Sequence, residues 1–515
     1  RLNRKMGEPI SHNKRIAKNT LMLYIRMLIT ILVSLYTSRV VLSTLGIVDY
    51  GIYNVVGGVA AMFSFLNGTL SGATSRFLTF ALGENNKEKL RNTFSAALTV
   101  HIVAAALIFV LCETIGLWIL EAKLNIPDDR MMATRVLYQL SVLTVMLTIT
   151  QVPYTAAIIA HERMDIFAYF SLGDVIFKLL AVYVLMIVPF DKLIVYGVLL
   201  FIISFVLRMA NRMYNVKKFE ECSFRLIGDK SYILPMLKFS GYDLLGNLGV
   251  MMRTQGINIL QNMFWGPAIN AATGIAHQVM NTIVGFSSNF LTAIRPRIVK
   301  LFAQGSIQEM QILAERGAKY SFFLLYFISF PCFLEISYIL DIWLGNVPVY
   351  SCEFLRWIMI FNWINTLFIP ILHIIHAVGE MKYMSIINGL IFVLVIPVVY
   401  VIYKYCDVSP VSPFILIALC VMLTSTINVV ITKHYIPSFE ILGYFKAVAQ
   451  SVAICIMGSL LPCLVHYSLS GNTRFICTCF SCVISLSLCI VLLGLTRHER
   501  QVVFESIKNK VFKNK

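Results

Sequence analysis

Residues Tyr24 to Glu84 read YIRMLITILVSLYTSRVVLSTLGIVDYGIYNVVGGVAAMFSFLNGTLSGATSRFLTFALGE. Two apolar runs of membrane-crossing length cover this stretch, about Lys18–Ser43 and about Tyr50–Gly72, and a turn rich in basic residues follows with Arg76, Lys87, Lys89 and Arg91. The first run carries two arginines. At 1.5 Å per residue, Arg26 lies about 12 Å along the helix and Arg39 lies near its far end. The second run sets Gly57, Ala61, Gly68 and Gly72, with Asn54, on one side at helical spacing. An ionised side chain inside a span is costly, so it faces a bundle interior or a wet cavity. The remainder of the chain reads as scaffold around such a cavity.

Composition supports that reading. Of 515 residues, 58% are hydrophobic and 13% are charged, where a soluble domain has about 25% charged. The apolar residues form many separate runs of roughly 20, which is the membrane class. The net charge of +17 would suggest nucleic acid in a soluble protein. Here the basic residues fall in alternate loops, so nucleic acid is not an expected partner and anionic membrane lipid is. The chain opens on Arg1, with Met6 a candidate initiator, and its first apolar run is too long for a secretory signal. Cys477, Cys479 and Cys482 have a metal-like spacing but lie in an apolar helix without a basic or acidic helper, so neither a metal nor any other cofactor is expected.

A window reading finds about 14 spans. This predicts an all-α polytopic membrane protein of MATE-like design, with two six-helix lobes related by a pseudo-twofold along the membrane normal and two helices added at the end. The expected parts are a tail (1–17), an N-lobe (18–213), a linker (214–235), a C-lobe (236–433), spans thirteen and fourteen (446–495) and a basic tail (496–515). Loops on the N-terminal side hold roughly 31 basic residues and the opposite loops roughly 5, so both termini should be cytoplasmic. A weak repeat at a spacing of about 220 residues pairs Gly46 with Gly266 and Arg76 with Arg297.

Polar residues concentrate on spans seven and eight. On an ideal wheel Asp243, Asn247, Thr254, Asn258 and Gln261 fall within about 60° of one another, beside Gly246, Gly249 and Arg253. Span eight aligns Asn270, Thr273, His277 and Asn281 on one face. Such stripes imply either mutual hydrogen bonding or a shared water-filled wall, and an arginine among them favours the wall. Asp174 and Lys178, four residues apart, can neutralise each other on one helix, although Asp174 is also a candidate for ion coupling. Glu335, after Pro331, is read as the deepest unpaired acid and the first candidate for carrying a proton. No Walker A sequence, HExxH or GxSxG elbow is present.

The block from Gly46 through Asp49, Tyr50 and Gly51 to Asn54, with Ser75-Arg76-Phe77 through Gly83 after it, resembles bacterial polysaccharide flippases of the Wzx type, in the MATE-like multidrug/oligosaccharidyl-lipid/polysaccharide (MOP) exporter superfamily. The resemblance implies transfer of a polyprenyl-pyrophosphate-linked oligosaccharide, such as an O-antigen or capsule repeat unit, across the bacterial inner membrane by alternating access. It implies a cationic cavity to which Arg26 and Arg253 match best, with Arg39 and Arg76 near the interfaces. It implies sugar contacts from Asn54, Asp243, Asn247, Asn258, Gln261, Asn270, His277 and Asn281. A polysaccharide polymerase and a chain-length regulator are the implied protein partners, and no catalytic residue is expected. Independently, a pyrophosphate in a membrane needs fixed cationic donors, and guanidinium geometry suits it. The rivals are a drug or metabolite antiporter of the same fold, which should carry a carboxylate in the first span, and a polymerase or ligase, which should carry a large external loop. Neither feature is in the sequence.

Overall fold

The computed structural model describes residues 8–62, 70, 74, 77–82, 86–161, 163–223, 225, 229–496 and 499–501. Its elements are α1 (Glu8–Met62), α2 (Lys87–Leu111), α3 (Leu117–Ala122), α4 (Met131–Ala160), α5 (Met164–Ile187), α6 (Lys192–Lys218), α7 (Lys230–Met251), α8 (Ile257–Trp265), α9 (Pro267–Ala303), α10 (Ile307–Leu334), α11 (Ile336–Leu344), α12 (Ser351–Val378), α13 (Lys382–Tyr405), α14 (Ser412–Tyr435), α15 (Ile441–Ser468) and α16 (Gly471–Cys489). No strand occurs among the described residues. Among them, eleven helices are long and apolar enough to cross a membrane. The run α7–α8 and α9, expected as spans seven and eight, are not among the eleven; their amides and hydroxyls lower the mean hydropathy.

Apolar side chains face outward as well as inward. On α2, Ala104, Ala105 and Ile108 are buried, whereas Val103, Leu107 and Val110 are exposed. Large exposed aliphatics recur on α14 and α15, among them Leu419 and Leu460. Contiguous exposed apolar surface on this scale suits a hydrocarbon solvent and is foreign to a water-facing monomer.

The described residues form two compact units. One comprises Arg1–Ile275 and Ser385–Pro413, the other Ala276–Met384 and Phe414–Lys515. In the first, Ile52, Val55, Val56 and Val59 of α1 pack with Ile108, Leu120, Leu137, Tyr138 and Ile149. Asn86 starts α2 by accepting from the Lys89 amide at 3.0 Å, and Asp191 starts α6 by accepting from the Leu193 and Ile194 amides. Each carboxylate or amide oxygen satisfies donors that the first helical turn leaves open. After α2 the chain makes a π turn, Cys112–Gly116, and the buried Tyr138 hydroxyl donates to the Cys112 carbonyl at 2.8 Å. The Cys112 carbonyl also accepts the Leu117 amide across the wider turn, so it carries two hydrogen bonds.

In the second unit, Phe322, Tyr326, Phe330 and Leu367 pack on Cys455, Cys482 and Leu486. Tyr326 and Ser459 hydroxyls meet at 2.9 Å between α10 and α15. The Lys319 ammonium donates to the Gly494 carbonyl at 2.8 Å, which ties the end of the chain's last apolar run to α10.

Candidate functional site

Gly46 and Gly266 adopt the same backbone conformation, φ 79° with ψ 170° and φ 79° with ψ −179°. A residue with a Cβ is strained there, so both positions call for glycine, 220 residues apart. Each starts a helical segment, the second half of α1 and α9 respectively. These two helices interlock without room for side chains. A Cβ on Gly51 would stand 1.8 Å from the Pro267 carbonyl oxygen, and one on Gly274 would stand 2.5 Å from the Asn54 side chain. Gly58 is similarly covered by Gln255 and Asn258.

The amides around this contact bond to one another. Asn54 donates to the Tyr50 carbonyl at 2.8 Å, and Asn258 donates to the Asn54 carbonyl at 3.3 Å. Asn270 donates to the Asn258 side chain at 2.6 Å and accepts from Asn262 at 2.8 Å. Asn262 in turn accepts from the Asn125 amide at 2.7 Å. Thr273 donates to Gln261, and Gln261 donates to the Pro410 carbonyl. Asn258, Gln261, Asn262, Asn270 and Thr273 are all buried. The sequence favoured a wet wall for Asn258, Gln261 and Asn270; the structure has them in a closed mutual network instead. The reason is adjacency: α8 and α9 are joined by a single tight turn at Gly266, so their amides meet each other before they can meet water.

The ideal wheel also fails across span seven. Met252–Gly256 is a π turn, and its extra residue rotates everything after it by about 100°. Asn247 and Thr254 therefore do not extend the Asn258–Gln261 face. Arg253 lies on this turn, half-buried, with its guanidinium 4.6 Å from the centroid of Phe392 on α13. The glycines beside it bring α13 close: a Cβ on Gly249 would stand 2.9 Å from the Gly389 Cα, one on Gly246 3.8 Å from the Ser385 hydroxyl, and one on Gly256 2.4 Å from Ile396. The stretch combines a broken helical ladder, a cation and a neighbour at glycine distance.

Of the other candidate cations, Arg26 lies on α1 with its side chain outside the described residues, and Arg76 lies outside them altogether. Arg39 is exposed on α1. Asp243 lies on α7, its side chain again outside the description. Asn247 and His277 are half-buried and Asn281 is exposed; none of the three is in the amide network described above. Asp174 and Lys178 make the intrahelical pair at 2.8 Å and border a cavity of about 680 Å³ between α4, α5 and α6 that Thr148, Gln151 and Ser204 also line.

Glu335 is not unpaired. Its carboxylate accepts from His466 Nδ1 at 2.6 Å and lies 3.1 Å from Arg474, and the residue is 1% exposed. It ends α10 after Pro331 and ties that point to α15 and the start of α16. The partners are 131 and 139 residues away, so spacing along one helix could not reveal them. Two further arginines were missed. Arg130 holds Asp49 through its Nε at 2.8 Å and Asp191 through Nη1 at 2.7 Å. It thereby fixes α1, just past the Gly46 kink, to the starts of α4 and α6. Arg208 of α6 is buried, 4.6 Å from the Tyr154 ring and 3.3 Å from the Thr150 hydroxyl, and its Nη1 has no hydrogen-bond partner. Its partners lie on α4, more than fifty residues away, so no local pattern in the sequence marks it.

No family model matches the sequence, and no curated protein matches it. Solved structures do. A lipid II flippase, MurJ, in an inward closed conformation superposes with a TM-score of 0.63 at 11% identity, covering 92% of this chain and 98% of that one. An inward-facing multidrug-resistance MATE transporter of the MOP superfamily gives 0.62 at 13% identity, covering 83% of this chain and 99% of that one. A MOP superfamily transporter from Pyrococcus furiosus, described as having a binding pocket of reversed polarity, gives 0.54 at 13% identity, covering 82% of this chain and 96% of that one. The interlocked glycine turns and the broken helix carrying Arg253 thus belong to a chain that has the fold of the MOP-superfamily transporters.

Proposed function

We propose that this protein is a flippase that carries a polyprenyl-pyrophosphate-linked oligosaccharide between membrane leaflets by alternating access, with Arg253 holding the pyrophosphate. The observation that carries the reading is Arg253 on a π turn within the α7–α8 run, among glycines that bring α13 to close range. A guanidinium offers forked donors to a diphosphate, and a π turn is a point where a helix can bend. Two further features support it. The likeness to the lipid flippase extends over more of the chain than the likeness to the MATE transporter does. The buried amide network between the two glycine turns is suited to act as a gate: its bonds are intramolecular in this conformation and can exchange for sugar hydroxyls when the helices part.

Arg26, Arg39 and Arg76 would share the cationic duty, and Asn247, His277 and Asn281 would contact sugar. Asp174 and Glu335 stay proposed for coupling only as paired acids. The two six-span lobes, cytoplasmic termini, an inner-membrane location and association with a polymerase and a chain-length regulator belong to the same proposal. The test is surface polysaccharide in a strain lacking its own flippase. Arg253→Ala should abolish it while protein accumulates normally, and Arg253→Lys should restore part of it. Normal polysaccharide from well-expressed Arg253→Ala protein refutes the assignment. The MATE likeness favours one rival, a drug or metabolite antiporter. Drug resistance conferred without polysaccharide rescue would establish that rival.

A further inference from the structure

A cavity of about 670 Å³ lies where the start of α2, the turn after α4 and the segment after α6 converge. None of its lining residues belongs to α7, α8 or α13, so it is separate from the Arg253 region. Its size suits a small polar ligand or a lipid head group. The charges along it sort into used and unused. Lys87 Nζ pairs with Glu220 at 2.8 Å, and His161 Nε2 meets Glu221 at 2.5 Å. The His161 ring lies flat on Phe219, with centroids 4.1 Å apart and planes 5° apart. Both glutamates of the turn after α6 are thereby taken.

Arg91, Lys218 and Arg225 also line the cavity, and no ion pair ties any of them among the described residues. Glu88 is the one lining carboxylate left. The Arg91 Nε is buried and has no hydrogen-bond partner. A buried charged donor without an acceptor is costly and calls for an explanation. The N-terminus of α2 adds its partial positive charge to the same spot. Guanidinium groups, an ammonium and a helix start converging on one cavity match the acceptors of a phosphate.

We propose that this cavity binds a phosphate-bearing ligand, either an anionic phospholipid head group or a soluble phosphate compound, through Arg91, Lys218 and Arg225. The full-length protein would be studied with Arg253→Ala in the background, so that binding through Arg253 does not contribute. Inorganic pyrophosphate would be titrated against protein in phosphatidylcholine nanodiscs. Phosphatidylglycerol retention would be read by native mass spectrometry after reconstitution in mixed vesicles. At least one probe should bind, and its affinity should fall with added salt and drop tenfold or more in Arg91→Gln/Arg225→Gln. Arg91→Lys should lose less. Lys218→Gln, at an exposed position, should weaken binding about threefold. Binding of pyrophosphate alone would point to a soluble ligand, and retention of phosphatidylglycerol alone to a membrane lipid. The proposal falls if neither probe binds below millimolar concentration, or if the folded double variant and Lys218→Gln both bind as tightly as the parent.

Discussion

Gly51→Ala, compared with Gly57→Ala, measures how tightly the two glycine-turn helices are locked. Both substitutions add one methyl group to the same helix and gain the same helix propensity, about 1 kcal/mol. Their surroundings differ. The new Cβ at position 57 meets nothing within 4 Å, whereas at position 51 it stands 1.8 Å from the Pro267 oxygen and 2.5 Å from the Pro267 carbonyl carbon. Ordinary contact begins near 3.4 Å, so the two backbones must part by about 1.6 Å. No rotamer change relieves the clash, because both partners are main chain. Overpacking of this kind costs about 1–3 kcal/mol. Parting the helices also stretches the 3.3 Å bond from Asn258 to the Asn54 carbonyl, worth about 1 kcal/mol. Gly51→Ala should therefore be less stable than Gly57→Ala by about 2–4 kcal/mol. Equilibrium unfolding in mixed micelles reads the difference directly. Equal midpoints would refute the close approach, and with it the amide network as a gate.

Three further outcomes are expected. Arg130→Ala should cost about 1–3 kcal/mol, since two partly exposed carboxylates lose a shared guanidinium, and hydrogen exchange should quicken around Asp49 and Asp191 first; unchanged protection there would show that the clamp is inert. Glu335→Gln should destabilise the second unit by roughly 3–5 kcal/mol, because His466 and Arg474 lose a buried counter-charge; a variant with wild-type unfolding behaviour would free Glu335 for a coupling role. Burial works against the charge of Glu499, yet hydrogen bonds outweigh it, with the Thr496 amide among the donors, and hold its carboxyl at about 2. A depressed carboxyl stabilises above its unfolded value and loses that contribution as pH falls. Protease protection of the segment after Gly494 should therefore be constant near neutrality and decline between about pH 4 and pH 2, and a pH-independent Glu499→Gln protein is the check.

The fold class was legible because it follows from composition and local period. Apolar runs of membrane length must be helical, since only a helix satisfies its own backbone in hydrocarbon. The glycine pair at positions 46 and 266 was legible because a left-handed turn leaves little choice of residue. The Asp174–Lys178 pair was legible because it is a one-turn contact within one helix. Asp49 stood out in the sequence block, but its partner Arg130 did not, being 81 residues away.

What needed the tertiary structure was every decision that depends on which helix lies beside which. Glu335 looked alone because its partners come from helices more than a hundred residues later. The amides of α8 and α9 looked like a wet wall because a wheel shows direction and not the neighbour waiting there. The polar stripe through Arg253 looked continuous because a wheel assumes an unbroken helix, and the π turn at Met252–Gly256 inserts a residue that no periodicity records. A sequence sets the local conformational preferences and the solvent each helix can tolerate. Whether a buried polar group meets water, a partner or a ligand is decided by packing, through the few ångströms that separate one helix from the next.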